Sequence, residues 1–450
     1  MAVASAPLGK ISPRQSTVEK LMKSAKNNNS NPPREMADSP STTSDSRSLK
    51  REHEITRRRF IAGVSASTAA ATILPGNLLS AWADAPALPN NPVTLNIIDV
   101  AGNLQLTKQS IENYRKTNPK LVSQIHYNQA PAPELPSKIK AQQNAGRLDI
   151  DLVLTGLDGL AAGIDQDLWL QLMPDYQDKF PNLEANYSPP ARDLYELGKG
   201  YGITVTYYPS GPLLEYAPER VKDVPKSTDE LLAWCKAHPG RFMYARPANS
   251  GPGRTLLMGL PYLLGDSSPK DPVAGWEKTW SFLKELNKYI DYYPSGTTAT
   301  MKEFGEGSRD IIASTTGWDI NPRVLGIVPK SAQVGALTGF HWVTDGHYMV
   351  IPKGMAQDKI AVLLDLMAFL LRPEQQATTY DDGYFYPGPA VKDVPLSMAP
   401  EHSQQVIKEF GRPEYESLIA DNPKETPLDA KAMVTAFHRW DEEIGAAKLR

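Results

Sequence analysis

Asp149-Ile150-Asp151-Leu152-Val153-Leu154-Thr155-Gly156 is the stretch whose reading decides the fold. Its apolar run reads as a strand that ends in a Thr-Gly turn. Upstream, Val93-Thr94-Leu95-Asn96-Ile97-Ile98-Asp99-Val100 alternates and is rich in β-branched residues, so it reads as a first strand. The loop Ala101-Gly102-Asn103 and an amphipathic helix through Ile111, Tyr114 and Arg115 follow it. Leu121 to Tyr127 reads as a second strand, and Glu134 to Ala145 as a helix stopped by Gly146. Strands that alternate with helices predict an α/β fold with a mostly parallel sheet and right-handed crossovers. In such sheets a ligand sits beyond the carboxyl ends of the strands.

Downstream, a second α/β unit follows the strand-like Gly202-Ile203-Thr204-Val205-Thr206-Tyr207-Tyr208. Its helices include Thr228–Ala237, with Ser227 or Thr228 as N-cap, and a stretch from Trp276 to Ile290. In that stretch Trp276, Trp280, Leu283 and Leu286 recur at helical spacing and read as core. Gly307 breaks a helix before the strand Asp310-Ile311-Ile312-Ala313-Ser314. His347 to Gly354 reads as a strand and turn, and Lys359–Leu371 as a helix closed by Arg372-Pro373.

The whole chain has 450 residues and 41% apolar content, enough for two or three domains with substantial cores. A single cysteine, Cys235, excludes an internal disulfide and any cysteine-based zinc or iron–sulfur cluster. It lies in the apolar stretch Leu231–Cys235 and reads as core. The formal charge of −3 conceals an asymmetry: residues 1–83 hold 12 Lys and Arg against 6 Asp and Glu, which leaves 36 against 45, or −9, in the remainder. An acidic body without a basic patch argues against nucleic acid as a partner.

Residues 1–55 are rich in Ser, Asn, Pro and charge and are expected to be disordered. Thr56-Arg57-Arg58-Arg59-Phe60-Ile61 then matches the twin-arginine export pattern, with Arg57 and Arg58 as the pair. The mildly apolar, small-residue run Ala62–Leu74 follows, too short and too rich in Ser and Thr for a transmembrane anchor. Ala81-Trp82-Ala83 offers a cleavage site after Ala83, and Ala83-Asp84-Ala85 a competing one after Ala85, so residues 56–83 read as a signal peptide. No cysteine follows that could carry a lipid anchor.

The order of these motifs resembles the extracellular solute-binding proteins of ABC importers, in the branch of maltose-, polyamine- and iron-binding proteins. The residues that carry the resemblance are Asp149–Gly156, the helix–Gly–strand–Trp run Phe304–Asp319, the strand and Pro-Lys-Gly turn Tyr348–Gly354, and Phe369-Leu370-Leu371-Arg372-Pro373-Glu374-Gln375-Gln376. It covers nearly all of residues 90–440. The resemblance implies two α/β lobes joined by crossover strands near Ile203–Tyr207 and Trp342–Tyr348, with ligand held between them. One lobe would combine residues 90–202 and 348–376, the other residues 203–347 and 377–440. It further implies a monomeric, non-enzymatic periplasmic receptor without cofactor. Such a receptor meets the twin-arginine translocase during export and then hands a small solute to an ABC permease.

A cleft of this kind needs polar groups from strand ends and helix N-termini, with aromatic faces that exclude water. Asp99 and Asn103 follow the first strand, and Thr155 and Asp158 the third; turn and cap chemistry is the alternative role for each. Trp318 and Asp319, after the strand Asp310–Ser314, offer a stacking face and a carboxylate together, unless the indole is core and the aspartate a cap. Arg246 and Asn249 belong to the Gly/Pro-rich loop that runs to Arg254, which could bind an anion. Trp342 and Asp345 near the return crossover, and Tyr384 in an aromatic loop, complete the set. Carboxylates suit an amine and arginines a carboxylate or phosphonate; the resemblance tips the balance towards polyamines or related amines.

The competing class is an exported hydrolase or redox enzyme. The sequence holds no His-Glu-x-x-His, no Gly-x-Ser-x-Gly, no Cys-x-x-Cys and no phosphate loop. His341 and His347 are the closest histidine pair in the exported part, and their spacing on a strand is poor metal geometry. Asp381 and Asp382 are expected to diverge into solvent. A scaffold protein without a small-molecule ligand is the third class.

Overall fold

The computed structural model describes residues 85–130, 134–446 and 448. Arg57, Arg58 and the cleavage position Ala83 lie outside the described residues. The strands are β1 (Val93–Asp99), β2 (Val122–Gln129), β3 (Leu152–Thr155), β4 (Ile203–Gly211), β5 (Leu213–Tyr216), β6 (Phe242–Met243), β7 (Ile311–Ser314), β8 (Gln333–Gly335), β9 (Trp342–Val350), β10 (Gly388–Pro389) and β11 (Lys424–Glu425). They form two sheets. The larger runs in the order β10-β4-β9-β3-β1-β2 with β11 beside β9, and the smaller in the order β6-β7-β5-β8. Helices flank both, which makes a two-lobed α/β fold.

Parallel pairing arises where a helix returns the chain. Leu104–Thr117 lies between β1 and β2, and Leu135–Asn144 between β2 and β3, so β1 pairs in parallel with both strands. β6 and β7 are parallel in the smaller sheet, and β9 and β11 in the larger. The expectation of mostly parallel sheets needs correction elsewhere, because β3–β9, β4–β9, β4–β10, β5–β7 and β5–β8 are all antiparallel. The reason lies in the linking strands. β4 passes through Pro212 directly into β5 of the other sheet without a helix, and β9 brings the chain back beside it in the opposite sense.

All nine residues of β4 and all nine of β9 are buried. Their ladder is interrupted between Thr204 and Thr206 and again between Tyr208 and Gly211, where Ser210 takes a left-handed φ of 69°.

Local expectations of the second α/β unit hold in detail. Ser227 caps Thr228–Ala237, its Oγ accepting from the backbone N–H of Glu230 at 3.1 Å. Trp276 and Trp280 are buried along Glu277–Leu286, and Cys235 is buried too, which pushes its thiol up to about 12. Among the described residues no helix is long and apolar enough to cross a membrane.

Candidate functional site

β1 and β7 end at a shared aromatic cluster. After β1 the chain turns at Gly102, with φ 79°; a side-chain carbon there would stand 2.7 Å from the Tyr384 hydroxyl. After β7 it turns at Gly317, with φ 93°, where a side-chain carbon would stand 2.4 Å from the backbone nitrogen of Phe385. Both positions therefore need glycine, and both bring their loops against the segment Gly383–Tyr386. Tyr384 sits between the two strand ends, 5.4 Å from the half-buried Trp318 ring, while Phe385 stacks on Tyr208 of β4 at 4.7 Å.

Acidic groups border this cluster. Asp99 is buried and accepts backbone N–H bonds from Ala101, Asn103 and Leu104 at 2.9, 3.0 and 2.9 Å, which folds the loop around its carboxylate. Burial outweighs those donors and raises its pKa. Asp381, expected in solvent, instead turns inward and accepts from Gln105 Nε2 at 2.9 Å. Burial, and next the charge of Asp382, push Asp381 up to about 6. Asp382 is half-buried beside His402, its Oδ1 2.9 Å from His402 Nε2.

Beneath the aromatic cluster lies a second polar set on the linking strands. Asp345 Oδ2 accepts from the Tyr208 hydroxyl at 2.9 Å and from Arg254 at 2.5 Å. Arg254 also reaches Asp158 Oδ2 at 3.7 Å. His347, 2.9 Å from Thr206 Oγ1, is held down to about 4 by burial, so its ring is neutral at pH 7.

Several buried polar atoms near these strand ends have no protein partner: Asn103 Nδ2, Ser210 Oγ, Thr315 Oγ1 and Thr316 Oγ1. Unpaired buried groups are rare in folded proteins; Ser188, Thr204, Glu215 and Thr300 hold further ones away from these strand ends. Three of the seven non-glycine residues with positive φ among the described residues also lie here, Ser210, Asp381 and Phe385, at 69°, 43° and 54°.

The structure thus brings together Asp99, Asn103, Asp158, Trp318, Asp345 and Tyr384. Others of the expected set stand apart. Asp319 is fully buried and turned from the cluster: Tyr415 donates to it at 2.7 Å, Arg412 Nε at 2.8 Å, and Arg323 lies 3.4 Å away. It is a buried counter-charge. Trp342 is core, fully buried against Phe340, its indole N–H donating to the Leu418 carbonyl at 3.0 Å. Arg246 is neutralised by Asp441, to whose Oδ1 its Nε donates at 2.9 Å. Asn249 is exposed in the one-turn helix Pro247–Asn249, and the Thr155 hydroxyl bonds to the Gly156 carbonyl at 3.1 Å.

Tyr208 was not singled out from the sequence, Arg254 and Phe385 entered only as members of their loops, and Asp381 was expected in solvent. Tyr208 carried a usable signal, as the last residue of the strand-like run Gly202–Tyr208. The others depend on partners roughly 90 or more residues away, as Arg254 and Asp345 do.

Polar and aromatic groups thus converge where the strands of this two-sheet architecture end, as a ligand-binding protein requires. The chain belongs to the family of bacterial extracellular solute-binding proteins, the solute-binding components of ABC transporters; the family pattern matches residues 109–408. Solved structures share the fold. One is an ABC transporter from Clostridium perfringens, with a TM-score of 0.56, 14% identity, and coverage of 79% of this chain and 99% of that one. A second is a putative spermidine/putrescine ABC transporter from Listeria monocytogenes, with a TM-score of 0.54, 15% identity, and coverage of 78% and 98%. A third is the apo ferric ion-binding protein A of Pasteurella haemolytica, with a TM-score of 0.54, 17% identity, and coverage of 78% and 97%. Curated protein sequences give no match.

Two neighbouring buried acids, Glu215 of β5 and Asp319 after β7, should respond differently to neutralisation. Burial, and next the charge of Asp319, push Glu215 up to about 8, so it is already neutral at pH 7. Glu215→Gln is expected to leave the melting temperature nearly unchanged. Asp319→Asn strands Arg412 and Arg323 without their counter-charge and is expected to cost about 3 to 5 kcal/mol, read by denaturant unfolding. If Asp319→Asn unfolds like the parent chain, its carboxylate is not the structural counter-charge described above.

Proposed function

We propose that this chain is an exported, non-enzymatic receptor that captures an amine-bearing solute between its lobes and delivers it to an ABC permease. The carrying observation is how charge is distributed. Arg246 and Arg254 are both taken up by carboxylates, whereas the aromatic cluster of Trp318, Tyr384 and Phe385 has Asp99 and Asp381 as its charged neighbours. Aromatic faces with adjacent carboxylates attract a cation, and neither of these arginines is left uncommitted for an anion. The relative named for spermidine and putrescine is consistent with this chemistry.

The proposed ligand set is Trp318, Tyr384, Asp381, Asp99 and Asn103, with Asp345 and Asp158 behind it. The proposed lobes are residues 90–202 with 348–376 and residues 203–347 with 377–440. Sheet membership supports the split for β1 to β3, which lie in one sheet, and β5 to β8, which lie in the other, whereas β4, β10, β11 and most of β9 belong to the second lobe by residue number but pair in the larger sheet. The receptor is proposed to act as a monomer in the periplasm.

Calorimetric titration with putrescine, a ω-amino acid and a dicarboxylate checks the ligand class; tightest binding of the dicarboxylate would sink it. For the diamine, Trp318→Ala is expected to weaken binding at least about tenfold, or 1.4 kcal/mol, with little change in apo stability.

The pH dependence has a definite sign. Below about pH 6 Asp381 is protonated and neutral, so diamine affinity should fall roughly tenfold per pH unit there and level off above it. Asp381→Asn should flatten that profile. A flat profile in the parent chain removes Asp381 from the ligand set.

Export is proposed to follow the twin-arginine route, with cleavage after Ala83 or Ala85, because Arg57-Arg58 precedes an apolar run too mild to act alone. Replacing both arginines by lysine should leave the uncleaved chain in the cytoplasmic fraction. Undiminished cleaved protein in the periplasmic fraction would refute the route.

A further inference from the structure

We propose that Asp158 and Arg254 form an electrostatic latch that holds the two lobes closed independently of solute. Arg254 is the fourth residue of the helix Gly251–Leu264, which packs on β7 of the smaller sheet and on the linking strands β4 and β9. Asp158 is the second residue of the helix Leu157–Asp165, which follows β3 of the larger sheet. Their contact joins the helix that follows β3 to one that packs on the smaller sheet and on the linking strands.

The two carboxylates around Arg254 are not equivalent, and the distances separate their roles. Asp345 lies on the linking strand β9 with a side chain 4% exposed, and its contact with Arg254 at 2.5 Å is a charge-assisted hydrogen bond. The Tyr208 hydroxyl and the Gly346 N–H also donate to Asp345, each at 2.9 Å, so this pair is a fixed unit. Asp158 is 22% exposed and stands 3.7 Å from Arg254, an ion pair that water can enter. The first contact anchors the arginine; the second can break.

Breaking it strands no charge. Arg254 keeps Asp345, and burial of the guanidinium is outweighed by the neighbouring carboxylates, which hold it well above its ordinary range. Asp158 Oδ1 accepts from the Gly159 N–H at 2.9 Å and sits in the first turn of its helix, where the dipole favours a carboxylate in water as well. Each partner thus has a resting interaction when the lobes separate. A buried structural ion pair lacks that property, because parting it leaves an uncompensated charge. The geometry makes Asp158 and Arg254 positioning residues for closure, beside whatever Asp158 offers to a solute.

Being partly exposed, the latch should weaken with salt. The test uses the purified full chain without added solute, carrying Lys120→Cys and Lys302→Cys on exposed sites for a spin-label or fluorescence distance; the native Cys235 is buried and does not compete for label. The expected result is a closed distance in the parent chain that gives way to a longer one as sodium chloride rises from about 0.02 to about 0.5 M. Asp158→Asn should reduce the closed fraction at low salt at least threefold and abolish the salt response, with the melting temperature unchanged. Asp158→Glu should restore both.

A distance distribution that Asp158→Asn leaves unchanged overturns the latch, and so does a lowered melting temperature without a change in distance, which would mark the pair as structural. No solute enters the experiment, so its failure leaves the amine reading of the cleft untouched.

Discussion

The antiparallel pairing of β4 with β9 is the constraint on which the rest of this molecule depends. These strands carry the chain out to the smaller sheet and back, and they hydrogen-bond to each other over most of their length with every residue buried. A linker of unpaired loops would let the two sheets drift. A paired ribbon ties them together, with its ladder broken between Tyr208 and Gly211. Tyr208 and Asp345 are opposed in that ladder, so they share one face and there meet Arg254. Connectivity and polar chemistry are therefore set by one pair of strands.

Around that ribbon the polar groups divide by availability. Asp319, Arg323, Arg412 and Tyr415 satisfy one another and contribute a fixed interior. Near the ends of β1, β4 and β7 the pattern differs: Asn103, Ser210, Thr315 and Thr316 each retain an atom without a protein partner. Desolvating a polar atom without compensation costs roughly 1 to 3 kcal/mol, so several of them in one region are unfavourable unless something else pairs with them. In the reading proposed above, the solute is that partner.

Much of the architecture was legible in the sequence because it is encoded locally. The β-branched alternation of Val93–Val100 and the apolar run Leu152–Leu154 form β1 and β3, and the crossover positions fall on β4 and β9. Strand direction was less legible, because the helix that imposes parallel pairing is missing between β4 and β5. The site was read least well. Trp318 and Asp319 are adjacent in sequence, yet the indole joins the aromatic cluster while the carboxylate is drawn to Arg412 and Tyr415, 93 and 96 residues later. Trp342 lies near the crossover as expected, but the strand that carries it is buried throughout, and an indole there has only core to enter. Long-range pairing of side chains decided each case, and no local pattern records it.

The left-handed backbone at Ser210, Asp381 and Phe385 has a consequence for how this protein could be altered. Each of these residues sits in a conformation that glycine would adopt more easily, so in principle each is a position where stability could be raised by a single replacement. At Asp381 and Phe385 the side chains that would be given up are neighbours of Tyr384. In the reading proposed above, thermal robustness and solute recognition compete for those two positions, and variants selected only for heat resistance would be expected to drift towards a firmer but less discriminating receptor.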